Sequence, residues 1–83
     1  MEHSKSNFYI NRNVDIIKEF KKLIAVEGSK VRETIKDVAR SIGVSASVVN
    51  AVIYQEGYGY RAEAWAIVDK EENEKEVATK RVA

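Results

Sequence analysis

From position 13 the apolar residues fall at helical spacing. Val14, Ile16, Ile17, Phe20, Leu23 and Ile24 lie on one side of a 3.6-residue wheel, and Lys18 and Lys22 project from the other. The spacing predicts an amphipathic helix ended by Gly28. Asn13 stands where an N-cap is expected, and Asp15 in the first turn suits the positive end of the helix dipole. A second helix is predicted from Thr34 as its cap, with Asp37 at the reciprocal capping position and Ile35, Val38, Ala39 and Ile42 following i, i+3, i+4, i+7. Gly43 supplies the left-handed residue that closes it. Two residues later Ser45 offers an N-cap for a third helix, with Val49, Val52 and Ile53 inward and Val48 at the margin.

The run "QEGYGY" interrupts this pattern, because two glycines so close together weaken any regular element. Beyond it "RAEAWAIVDKEENEKEV" is rich in helix formers, and Ala64, Trp65 and Val68 are placed to anchor a fourth helix on the core. Residues 69–76 include no apolar side chain. They predict a solvated helical extension with Glu71–Lys75 and Glu76–Lys80 as i, i+4 pairs. The expected fold is all-α, a small three- to four-helix domain containing a helix-turn-helix. Residues 1–12 are expected as a flexible N-terminal arm, 13–68 as the helix-turn-helix domain and 69–83 as a charged helical or frayed tail.

Composition narrows the class without deciding it. The chain has 83 residues, 45% hydrophobic and 33% charged, which is too apolar for full disorder and too charged for a membrane protein. No apolar run reaches the roughly 18 residues that suggest a bilayer span, and the N-terminus lacks the apolar stretch of a signal peptide, so a cytoplasmic location is expected. The absence of cysteine removes disulfides and thiolate metal sites. Net charge is +1, divided unevenly: residues 1–61 carry ten Lys and Arg against seven Asp and Glu, and residues 62–83 carry four against six. A mildly basic module with an acidic tail suits a nucleic-acid binder of modest electrostatic strength.

The stretch "TIKDVARSIGVSASVVNAVI", residues 34–53, meets several steric conditions together. Ala39 is small where a crossing helix needs clearance, Gly43 accepts the turn conformation four residues later, and Val49 and Val52 return to the core six and nine residues after the glycine. These conditions form a helix-turn-helix signature. The wording also resembles the DNA-binding headpiece of the LacI family of bacterial repressors, through Thr34, Ile35, Asp37, Val38, Ala39, Gly43, Val44, Ser45, Val49 and Val52. The resemblance covers about twenty of the 83 residues. It therefore carries the motif, and no small-molecule effector is expected.

What the resemblance implies is a third helix, residues 45–54, in the major groove with the second crossing the backbone. With Val49 and Val52 inward, the outer face would be Ala46, Ser47, Asn50, Ala51 and Tyr54. The base-reading positions of the LacI-like pattern fall on Ala46, Ser47 and Ala51, where the usual arginine or glutamine is missing. Asn50 can pair with adenine, Ser47 with several bases or a phosphate, and alanine methyls can meet a thymine methyl. Thr34, Ser45 and Ser47 at their helix starts are candidate phosphate ligands. Lys36 and Arg40 are candidate backbone contacts, with Lys30, Arg32 and Arg61 flanking. Of the tyrosines after the third helix, Tyr60 is expected to pack and Tyr54 to remain available.

Other chemistry finds no support in the residues. His3 is the only histidine and falls in the expected arm, no serine has a histidine and carboxylate set to converge on it, and "DKEENEKE" lacks the glycine and spacing of a calcium loop. No enzyme activity, metal or cofactor is expected. The expected function is a small DNA-binding protein, a transcriptional regulator of phage or plasmid type, whose partner is double-stranded DNA and which acts as a homodimer because DNA half-sites pair with protein two-folds. The alternative is a protein-interaction or accessory assembly module built on the same scaffold, such as a small phage packaging or recombination subunit.

Overall fold

The computed structural model describes the backbone of residues 2–82 and the side chains of residues 6–75. Four helices follow one another, α1 (Glu2–Ile24), α2 (Val31–Ile42), α3 (Ala46–Tyr54) and α4 (Arg61–Val82), and the described residues form no strand. The fold is all-α. The expected arm is a correction: residues 2–12 are the first half of α1, so Asn13 lies inside a helix and caps nothing. His3 and the expected Glu76–Lys80 pair lie outside the described side chains.

α1 packs against each of the other three helices, and α2 packs against α3. Its buried stripe, Val14, Ile16, Ile17 and Phe20, meets Val38 and Ala39 of α2, Val49, Val52 and Ile53 of α3, and Ala64 and Val68 of α4. The pairings Ser6–Tyr60, Lys18–Glu71 and Lys21–Glu72 advance together along α1 and α4, so these two helices run in the same direction. The acidic run of α4 is accordingly more than a solvated face. Glu71 meets Lys18 of α1 at 2.6 Å and Glu72 meets Lys21 at 2.7 Å, and the hydrogen bond from Lys18 to Glu71 holds that ammonium above the ordinary lysine pKa. Both pairs are about half-exposed, and solvent screening keeps their contribution to stability small.

Asn13 is fully buried, and its amide is a clamp. Its Nδ2 donates to the Gly59 carbonyl at 3.0 Å, while its Oδ1 accepts from Nε and Nη2 of Arg12 at 3.1 and 2.9 Å. The loop before α4 is thus tied to α1 by a side chain 46 positions away in sequence. At the other end of α1, Ser29 Oγ donates to the Leu23 carbonyl at 2.8 Å, filling one acceptor that a helix end leaves open.

α2 begins earlier than its sequence signals suggest. Lys30 has the extended cap conformation and makes no side-chain cap bond, the Thr34 amide donates to the Lys30 carbonyl at 2.9 Å, and Thr34 is 4% exposed. Thr34 and Asp37 therefore form no capping box. The turn into α3 follows expectation: Gly43 adopts φ 86°, its amide donates to Ala39, and Ser45 Oγ accepts from the Val48 amide at 3.2 Å. An alanine at position 43 has room for its Cβ but must adopt a left-handed backbone. Gly43→Ala is expected to lower the unfolding free energy by about 1–2 kcal/mol, read from the urea midpoint at unchanged slope.

The C-terminus of α3 is finished by α4. Trp65 Nε1 donates to the Val52 carbonyl at 3.1 Å and Arg61 Nη2 to the Ile53 carbonyl at 2.8 Å, and the Arg61 guanidinium lies 5.4 Å from the Trp65 ring centroid. Two of the four carbonyls that a helix end leaves open are thereby satisfied. α4 is therefore a structural brace for α3 as well as a wall of the core.

Candidate functional site

α2 and α3 are joined by three residues, 43–45, and both contribute to a shallow groove open to solvent. Val31, Arg32, Ile35 and Lys36 line it from α2, Ala46, Ser47 and Asn50 from the first turns of α3, and Gln55 from just beyond its end. The groove exists because the inward residues of both helices are committed elsewhere: Val38 and Ala39 hold α2 to the core, and Val49 and Val52 hold α3. Ala46 and Ser47 are too short to fill the space left in front of them. The small side chains thus shape the groove.

Its electrostatics are one-sided. Arg32 and Lys36 stand four residues apart, hence on the same face of α2, and neither forms an ion pair with a carboxylate among the described residues. No Asp or Glu lines the groove, and α3 contains no charged residue of either sign. The amides of Asn50 and Gln55 and the Ser47 hydroxyl make no hydrogen bond within the described residues, so their donors and acceptors face solvent.

The structure divides the residues expected at the site. Lys36, Ala46, Ser47 and Asn50 are brought together in the groove. Ser45 is exposed beside it, with its Oγ accepting the Val48 amide. Arg40 is exposed on α2 outside the groove, 3.6 Å from Asp37. Tyr54 is 56% exposed and also outside it, with its ring edge-on to Phe20 at a centroid separation of 6.3 Å. Two expectations are corrected. Thr34 is buried inside α2 and cannot offer its hydroxyl to a phosphate, and Ala51, at 7% exposure, faces inward and not outward.

The flanking residues sort in the same way. Arg61 is engaged in closing α3 and stacking on Trp65, so it is a structural cation. Tyr60, expected to pack, is 40% exposed with its hydroxyl 3.0 Å from Ser6 Oγ, whereas Tyr58 is the tyrosine that packs against the core. Val31, Ile35 and Gln55 also line the groove, beyond the residues the sequence points to. Ile35 carried the signal of a core position, and Gln55 lies past the last helical residue, where a wheel assigns no face.

Among the described residues no helix is long and apolar enough to cross a membrane, and no three His, Cys, Asp or Glu residues group as metal ligands. Comparison with family models, with curated proteins and with solved structures finds no match to this chain.

Proposed function

We propose that this protein binds double-stranded DNA through a helix-turn-helix formed by α2 and α3, and that it acts as a small regulator. The observation that carries the reading is the groove in front of α3: two unpaired cations, three neutral polar side chains and no carboxylate. A surface of that kind favours a polyanion that also offers base edges for hydrogen bonding. An α-helix such as α3, about 10–12 Å across with its side chains, is of a size that the roughly 12 Å wide major groove admits. In this docking Asn50 pairs with an adenine edge, Ser47 serves a base or phosphate, and Arg32 and Lys36 neutralise phosphates. One bidentate amide provides about 1–3 kcal/mol of discrimination. A single copy is therefore weakly selective, and a two-fold dimer on paired half-sites raises both affinity and selectivity.

The competing reading is a protein-interaction module on the same scaffold. It draws on the alkyl side of the groove, where Val31 is 45% exposed beside Ile35 and Ala46. Gel retardation at low salt with mixed duplex fragments separates the two. Retention that weakens on Asn50→Ala supports base contact. Absence of retention, with a protein partner lost on the same substitution, supports the competing reading.

A further inference from the structure

A second basic feature lies where the first half of α1 meets the loop before α4. Tyr9 and Arg12 of α1 and Tyr58, Gly59 and Tyr60 of the loop line a small open cleft with no carboxylate in its wall. Arg12 is held in a fixed pose. Its guanidinium lies 5.1 Å from the Tyr9 ring centroid, and its Nε and Nη2 both donate to Asn13 Oδ1, whose own Nδ2 is anchored on Gly59. The partner it has is a neutral amide, and no carboxylate pairs with it among the described residues. Nη1 and the second Nη2 proton remain to donate outward. The Tyr58 and Tyr9 hydroxyls likewise make no hydrogen bond among the described residues. Tyr60 holds a left-handed backbone at φ 59°, uncommon for a bulky residue, and its hydroxyl meets Ser6 of α1. An arginine fixed by a neutral partner next to free phenolic donors is a set suited to an oxyanion.

The cleft and the α2/α3 groove are linked through the chain that follows α3. Gln55 lines the groove, Tyr58 lines the cleft, and the Tyr58 amide donates to the Gln55 carbonyl at 2.9 Å, so one tight turn separates them. Glu56, exposed within that turn, is the nearest acidic residue in sequence and lines neither feature. We infer that the Tyr9/Arg12/Tyr58 cleft is a second phosphate clamp, which grips the sugar-phosphate backbone of the duplex whose major groove receives α3. This rests on the DNA-binding reading above and extends its interface to α1, beyond the helix pair that carries the motif. Arg12 supplies the charge, Tyr58 and Tyr9 supply neutral hydrogen bonds, and the Asn13–Gly59 clamp fixes their mutual position. Because the clamp touches no base, it strengthens binding to every sequence alike.

The test is a salt titration of duplex binding by the full chain and by two variants, Arg12→Gln and Tyr58→Phe. Tyr58→Phe keeps the ring that packs on the core, and so guards against a loss of fold in the arginine variant. Arg12→Gln is expected to flatten the slope of log affinity against log salt by about 0.9 per bound copy, equally for all sequences. Tyr58→Phe is expected to weaken binding severalfold at constant slope, because a neutral donor releases no counterion. If both variants keep the affinity and slope of the unaltered chain, the clamp is wrong while the α2/α3 reading stands. If the unaltered chain fails to bind duplex at low salt, the reading falls and the clamp with it.

Discussion

Reversing Arg32 and Lys36 to glutamate together is expected to abolish measurable retention of duplex DNA at physiological salt and to weaken it on the order of a hundredfold at 50 mM. Each lost phosphate contact removes about 0.9 from the salt slope, and each introduced carboxylate adds repulsion at the same spot. The groove has no other described cation to take over, because Arg40 is directed outside it and Arg61 is tied to Ile53 and Trp65. Both substituted residues are exposed and outside the core, so the fold is expected to persist with stability within about 0.5 kcal/mol of the original. The measurement is gel retardation alongside circular dichroism. Loss of binding with an unchanged helical spectrum locates the contact in the groove. Unchanged binding by a folded variant removes the groove from the interface.

The second large effect concerns the fold that presents the groove. Ile17 is fully buried in α1, a helix that packs against all three others. Ile17→Ala is expected to cost about 2–5 kcal/mol, the lost transfer energy plus the cavity left behind. A chain of 83 residues has roughly 4–12 kcal/mol of stability in total, so the variant approaches the edge of folding at ambient temperature. Because α1 holds α2, α3 and α4 together, the loss should appear as one cooperative shift of the urea midpoint and not as fraying of a single helix. Two transitions that separate in urea, one for α4 and one for the α2/α3 pair, would contradict α1 as the common support.

Much of this architecture is legible in the sequence where local geometry decides the outcome. The α1 stripe of Val14, Ile16, Ile17 and Phe20 is buried as its period requires, Gly43 takes the left-handed turn, Ser45 caps α3, and Ala64 and Val68 anchor α4. The misreadings occur where a partner distant in sequence decides. Asn13 has the chemistry of an N-cap, but the same amide inside a helix is satisfied by a carbonyl that arrives 46 residues later. Glu71 is legible as a partner along its own helix, but its contact with Lys18 of α1 is not.

Ala51 was misplaced for another reason. "ASVVNAVIY" is apolar nearly all round, so a helical wheel has little contrast with which to choose its buried side. Thr34 was misplaced because its capping signal competes with a start one turn earlier, where Lys30 opens the helix without any side-chain bond. For the site, Asn50 and Ser47 are legible as the outward residues of α3. The shape of the groove is not, since it depends on how α2 crosses α3 and on where the chain turns after Tyr54.

The most direct test of the groove as a DNA interface is the salt dependence of duplex binding by the unaltered chain, measured by fluorescence anisotropy from 50 to 200 mM salt. A dimer with two phosphate contacts per copy, from Arg32 and Lys36, is expected to give a slope of about −3.6, steepening to about −5.4 with Arg12 included. A flat response, or no binding at 50 mM, would contradict the account.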